Sequence, residues 1–434
     1  MHTPLRRRAL AAGALAALIA AAIGGPALAA SEDGPDATFG LTGDWNGLRT
    51  RLEDDGWTFD IRQKLEGAYN ATGGTRSSAD GAGETRIGVI ADLDKLAHLS
   101  GGTVHLMLTR RYGAGLGEPS GIDPLMSFIE VHGRGDIWRL TQLWYDQTLA
   151  GGAVDLKLGR MNPGSDFDAF ACDFQNLTFC GSQPGNLEGD YWYNWPVSQW
   201  GARAKLKLGK DVYVQAGAYQ VNPQNLAQGF TFNVSRGTGV LTPVEVGWTP
   251  KLGPNSLPGT YLAGAWYSNT HGADPLLGLD GQPQPLTGQA PLQHAGRYGG
   301  YVSVTQQVTG KADGPGLSLF GNFTQGDART SQIDRQIALG AEYKGLFPGR
   351  AKDVLALAIG RTHINDRLTQ AEQLANGSGG FGPVQHSEDA AELDYRVQVV
   401  KGAVITPNLQ YVSHAGGIAG RDALVLGVKA VLKL

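Results

Sequence analysis

Along most of the chain, apolar and polar residues alternate with a period of two. From Thr58, the residues Phe59, Ile61, Leu65 and Tyr69 share one face, while Asp60, Arg62, Lys64 and Glu66 share the other. Such a period marks a half-buried strand. The same pattern runs through Thr85–Leu93, where Ile87, Val89 and Ala91 oppose Arg86 and Asp92. It runs through Val154, Leu156 and Leu158 against Asp155 and Lys157, and through Ala202, Ala204, Leu206 and Leu208 against Arg203, Lys205 and Lys207. In the C-terminal half it returns at Ile337–Tyr343, Ala391–Val399 and Leu424–Leu434. Weaker stretches lie near 103–111, 137–149, 212–221, 244–249, 260–267, 297–307, 317–325, 354–362 and 403–412. Together they predict about sixteen strands of roughly 8–12 residues, the length a tilted strand needs to cross a bilayer.

The predicted class is all-β. A soluble sandwich also alternates, but it needs two sheets with edges. Sixteen strands without a sizeable helical stretch close more naturally into one antiparallel transmembrane barrel, with the charged face lining the lumen. Tyr69, Tyr145, Trp248, Tyr261, Tyr267, Tyr343 and Tyr411 fall toward strand ends, where an interfacial aromatic girdle sits. The connections are unequal, with long ones at Met161–Gln199, Val221–Pro243, Ser268–Ala295 and Asp366–Asp389. No composition break divides residues 58–434, so they form one domain. Before them, residues 30–57 form a periplasmic segment in which 44–56 reads as a short helix, capped by Asp44 and stopped by Gly56.

The N-terminus changes the picture further. Three arginines at positions 6–8 precede an apolar run from Ala9 to Ile23, and Ala27-Leu28-Ala29 forms an A-x-A cleavage site. That is a secretory signal peptide over residues 1–29, and its run of about 15 apolar residues is shorter than the ~20 a span requires. Because the leader holds three arginines and no acid, its removal moves the formal charge from −4 to −7. A mildly acidic exported chain is a poor partner for nucleic acid. Glycine, at 64 residues of 434, is about twice its usual ~7% share, which suits curved strands and turns. The only cysteines, Cys172 and Cys180, are expected to form one disulfide in an oxidising compartment.

Several words in the chain are distinctive: Gly43-Asp-Trp-Asn-Gly-Leu-Arg-Thr-Arg-Leu, Leu143-Trp-Tyr-Asp-Gln, Leu158-Gly-Arg-Met-Asn-Pro and Cys172-Asp-Phe-Gln-Asn. Others are Tyr193-Asn-Trp-Pro-Val-Ser-Gln-Trp-Gly-Ala-Arg, Gln215-Ala-Gly-Ala-Tyr-Gln-Val-Asn-Pro and Asp422-Ala-Leu-Val-Leu-Gly. In this order, from about residue 40 to the C-terminus, the chain resembles the carbohydrate-selective porin family, OprB. The resemblance implies a sixteen-stranded outer-membrane barrel that passes monosaccharides such as glucose passively, through a narrowing of charged and aromatic residues. Two departures from the family pattern stand out: Gln142 where a Glu precedes Leu-Trp-Tyr, and a final Leu434 where such barrels often end in Phe.

A neutral sugar offers hydroxyls that donate and accept, and C–H faces that lie on aromatic rings, so a selective pore pairs charged or amide groups with Trp or Tyr. Candidate pore-lining residues are Arg62, Glu66, Arg86, Arg111, Gln142, Trp195, Trp200 and Arg203, with Glu84 and Asp92 nearby. Asp166, Asp168 and Asp173 near the cysteines match no calcium-loop spacing, and no metal is expected. No G-x-S-x-G, H-E-x-x-H or phosphate-binding loop appears, so neither catalysis nor a cofactor is expected. The surroundings expected of such a barrel are outer-membrane lipid and lipopolysaccharide, with the barrel assembly machinery inserting it; a homotrimer stays open. Two alternatives are a general porin for small solutes and a non-channel all-β carbohydrate-binding protein of the cell envelope.

Overall fold

A computed structural model describes residues 39–312 and 314–434; the leader at 1–29 lies outside the described residues. Sixteen long strands form the wall. In chain order they are β1 (Trp57–Thr72), β2 (Ala79–Asp92), β3 (Gly102–Gly113), β4 (Trp138–Leu149), β5 (Val154–Met161), β6 (Gln199–Lys207), β7 (Val212–Val221) and β8 (Gly239–Trp248). After the two-residue β9 (Lys251–Leu252) come β10 (Leu257–Gly278), β11 (Pro291–Gln307), β12 (Gly316–Gly326), β13 (Ile333–Lys344), β14 (Val354–Ile364), β15 (Ser387–Val400), β16 (Ala403–Ser413) and β17 (Ala423–Lys433). Each wall strand pairs antiparallel with its sequence neighbours, and β1 pairs with β17, so the sheet closes without a free edge.

Register carries the side-chain alternation around the circumference. Lys429 lies opposite Glu66, Lys64 opposite Glu84, and Glu84 opposite Arg111, all pointing inward. Leu65, Ile87, Leu158, Leu339, Leu357 and Ile359 point outward and are exposed, whereas Glu66, Glu84, Glu392 and Gln410 are buried. This inverts the arrangement of a water-soluble protein: a continuous exposed apolar wall is stable only in lipid. The seven girdle aromatics all carry outward parity. Tyr145, Trp248, Tyr261 and Tyr343 lie at the short-turn end, and Tyr69, Tyr267 and Tyr411 lie toward the other.

The turns at one end are short, Lys401-Gly402 being the tightest; Gly402 takes φ +82°, which a side chain would strain. At that end sits the helix Leu48–Asp54. It starts later than its expected position because Gly47 is the N-cap, but Asp44 still accepts from the Thr50 N–H at 2.8 Å. Buried Arg49 reaches the Leu434 and Phe59 carbonyls, each at 3.2 Å, and so ties the helix beneath the closing seam.

The opposite end departs from expectation in three places. The stretch 268–295 is mostly strand, since β10 and β11 extend as a hairpin far beyond the wall. Within 366–389 lies a helix, Asp366–Gly377, whose first turn is capped by the Asn365 side chain. Polar residues cover most of this helix, so no apolar period announced it. The connection 114–137, which carries no strand, folds into the lumen together with 162–198.

Two aromatic cores form inside the barrel. In one, Phe128, Ile129, Val131, Phe174 and Phe179 pack on inward Ala338, Ala356, Ala358, Val412 and Val425. In the other, Phe167, Tyr191, Trp192 and Tyr193 pack on Tyr219, Trp266 and Tyr301. Small wall residues make room for the loop aromatics: a Cβ on Gly360 would lie 2.7 Å from Thr178 and 3.0 Å from Phe179. Burying each Phe is worth about 1.5–3 kcal/mol, which offsets the entropy of ordering the loops.

Candidate functional site

A cavity of about 620 Å³ is lined by Lys64, Arg86 and Arg111 of the wall, by Glu130, His132 and Arg134 of the first inward loop, and by Phe170, Cys172, Cys180 and Trp195 of the second. The loops hold their places through buried wall side chains that satisfy their backbone groups. Lys429 donates to the Cys172 and Phe174 carbonyls at 2.7 and 2.9 Å and stands 3.3 Å from Glu66 and 3.4 Å from Glu130. Glu392 accepts from the Gln175 and Asn176 N–H groups at 2.8 and 2.7 Å. Glu388 accepts from Leu125 at 2.7 Å and Met126 at 3.1 Å, and Glu245 from Asp168 at 2.8 Å. Cys172 and Cys180 are disulfide-bonded within this loop.

The cavity wall is built around Glu84. Its carboxylate accepts from Arg86 Nε at 2.6 Å, Arg111 Nε at 2.7 Å and Trp195 Nε1 at 3.0 Å. The Arg86 guanidinium lies 4.2 Å from the centre of the Trp195 ring, so cation and indole present one continuous surface. Glu130 bonds Lys64 and stands 3.6 Å from Arg111 Nη2. Burial pushes the Glu130 carboxyl up, but Lys64, Lys429 and Arg111 outweigh that and hold it well below the usual carboxylate range. Glu188, in the second loop, is pushed up to about 7 by burial despite Arg297 at 2.9 Å.

Of the residues singled out in the sequence, Arg86, Arg111 and Trp195 meet at this cavity. Glu66 does not line it; it accepts from the Val131 N–H at 3.2 Å and serves as a loop anchor. Arg62 lies opposite Arg86 but bonds Asp60 at 2.6 Å, outside the lining. Gln142 faces the lumen opposite Met107, beside a bulge in β4 and away from the cavity. Arg203 is buried lower in the wall, bonded to Asp155 and 3.7 Å from Asp146 and Asp166. Trp200 is on the outside: it shares parity with Ala202 and Ala204, lying 5.9 Å from Arg160 and 6.2 Å from Phe232. Asp166, Asp168 and Asp173 are separated: Asp166 accepts from Lys157, Asp168 accepts from the Gln183 N–H, and Asp173 stands 3.4 Å from Arg396. Lys64, Glu130 and Arg134 were missed as site residues. The apolar run Phe128-Ile129 beside Glu130 was the available signal, since such residues in a connection must be buried against something.

An edgeless barrel with an apolar exterior, a polar lumen and loops narrowing that lumen defines an outer-membrane porin. Residues 76–434 match the carbohydrate-selective porin, OprB family, and the chain belongs to that family. It is 42% identical to Porin B of Pseudomonas aeruginosa over 96% of each chain. It is also 32% identical to the putative porin QuiX of Acinetobacter baylyi, over 89% of this chain and 91% of that one. The high-pH structure of Pseudomonas putida OprB superposes with a TM-score of 0.89 at 39% identity, covering 91% of this chain and 98% of the other. The chain is therefore a sugar porin of the bacterial outer membrane.

Proposed function

We propose that monosaccharides such as glucose cross through the cavity at Arg86 and Trp195, driven only by their own gradient. The observation that carries this reading is the clamped pair itself: Glu84 fixes both the guanidinium and the indole at the edge of a cavity of about 620 Å³. Sugar hydroxyls take the donors of Lys64, Arg86 and Arg134, and a sugar C–H face lies on the indole surface that Arg86 leaves uncovered. Each contact is a solvated hydrogen bond or a partial stack, weak enough for the solute to leave. No covalent step and no cofactor enter this scheme. Lipid and lipopolysaccharide cover the apolar wall, and the assembly machinery inserts it.

Liposome swelling tests the size and chemistry of the path. Vesicles holding the purified protein should swell in glucose well faster than in a trisaccharide of equal osmolarity. Equal rates for both would refute passage through a narrow sugar-sized site.

A further inference from the structure

The outward faces of β13, β14 and β15 carry no charge from Tyr343, Leu355 and Tyr395 at the short-turn end up to Ile337, Ile359 and Ala391. The first outward charges then come together on adjacent strands, as Arg335, Arg361 and Asp389. They lie at the long-loop end, which in such barrels is extracellular, so this is the headgroup level of the outer leaflet. Arg361 stands opposite Ile337 on one side and Asp389 on the other, and Arg335 is its diagonal neighbour, opposite His363. Positions so related are roughly 7–8 Å apart, close enough for both long side chains to reach one ligand. Asp389 accepts from Arg361 Nε and Nη2 at 2.6 and 2.9 Å, yet the Arg361 side chain is still 59% exposed. Arg335 is exposed and has no carboxylate within ion-pair distance among the described residues. His363 is taken by Asp334 at 2.7 Å.

Beside these charges the outer wall is hollowed into a groove of about 310 Å³. It exists because Ala391 shares a row with Leu339, Ile359 and Tyr411 and is too short to fill the space between them. We infer that this face is a seat for one molecule of lipid A, the phosphorylated and acylated disaccharide that anchors lipopolysaccharide. One of its phosphates is held by Arg335 and Arg361, and an acyl chain lies in the groove over Ala391. Charge complementarity selects this occupant. A guanidinium fork matches phosphate oxygens in parallel hydrogen bonds, and the arginine stems lie along the apolar wall while their heads stay at the interface. A second copy of the chain on this face would instead bury Arg335 without a counter-ion, which is costly. None of these residues lines the cavity of the proposed sugar path, so the seat is independent of it.

Native mass spectrometry of the full mature protein in detergent, titrated with hexa-acyl bisphosphoryl lipid A, tests the seat. The wild type should hold lipid A at least about tenfold more tightly than phosphatidylglycerol, which offers a single phosphodiester. The double variant Arg335→Gln, Arg361→Gln should lose about tenfold or more in lipid A affinity, and Ala391→Leu, which fills the groove, about threefold. Both variants should keep the wild-type rate of liposome swelling in glucose, which shows that the barrel is folded and open. Lipid A bound equally by wild type and double variant, phosphatidylglycerol bound as tightly as lipid A, a dimer of the chain in place of the lipid adduct, or no adduct at all would each overturn the inference. None of these results touches the sugar path, which glucose swelling reads separately.

Discussion

Replacing Lys429 by Met should release both inward loops without unfolding the barrel. The ammonium is 3% exposed and lies between Glu66, Glu130 and two carbonyls of the disulfide loop. Methionine keeps the volume and removes the charge, leaving buried Glu66 without its ion-pair partner, Glu130 with Lys64 and Arg111 alone, and two carbonyls without a donor. Breaking a buried ion pair from one side costs about 3–5 kcal/mol. Against this, burial of Phe128, Ile129, Phe174 and Phe179 supplies gross stabilisation of about 6–12 kcal/mol, most of it spent on ordering the loop backbone at about 1–2 kcal/mol per residue. A loss of 3–5 kcal/mol shifts the docked population by roughly two to four orders of magnitude. The wall, closed by its own backbone ladder, loses no strand pairing. Single-channel recording should show conductance raised at least about twofold, with frequent transitions between levels as the loops come and go. A Lys429→Met channel with wild-type conductance, steady current and unchanged sugar block would refute the pinning of the loops by this residue.

Three further outcomes follow from the same geometry. Trp195→Ala should weaken glucose block about fivefold, the equivalent of roughly 1 kcal/mol of lost ring contact, with little change in open conductance; a current titration checks it. Leu357→Arg places a charge on the exposed outer wall and should cost about 2–4 kcal/mol in the bilayer, read as reduced recovery of folded protein in the outer-membrane fraction, whereas a similar charge at inward Ala358 should not meet lipid. Burial lifts the Glu188 carboxyl to about 7, so the folded loop binds a proton that an unfolded one releases near 4.5. The stability this adds is full below pH 4.5 and is lost as pH rises toward 7. Melting in detergent should thus drop between pH 5 and 8 in the wild type, and Glu188→Gln should flatten that drop.

The wall was legible in the sequence because its cause is local. A strand with lipid on one side and water on the other must alternate, and the closing strand advertises it through Leu424, Leu426 and Val428 against Lys429. Parity also fixes Trp200: with Arg203 and Lys205 inward, Trp200 faces out. The loops obey no such period. Their fold depends on what the wall offers at a distance, as when Glu392 caps the N–H groups of Gln175 and Asn176 across 216 or more residues of chain. Glu66 illustrates the difficulty, since an inward carboxylate beside a pore reads the same whether it meets solute or holds a loop. Only the position of Val131 distinguishes the two.

In the proposed path, sugar passes where Arg86 and Trp195 line the cavity. Ion current through a single channel, recorded while glucose is added, tests it most directly. Current falling in a saturable way with glucose, and less steeply in Trp195→Ala, is the predicted result. Current that glucose leaves unchanged beyond its effect on solution viscosity would contradict the account.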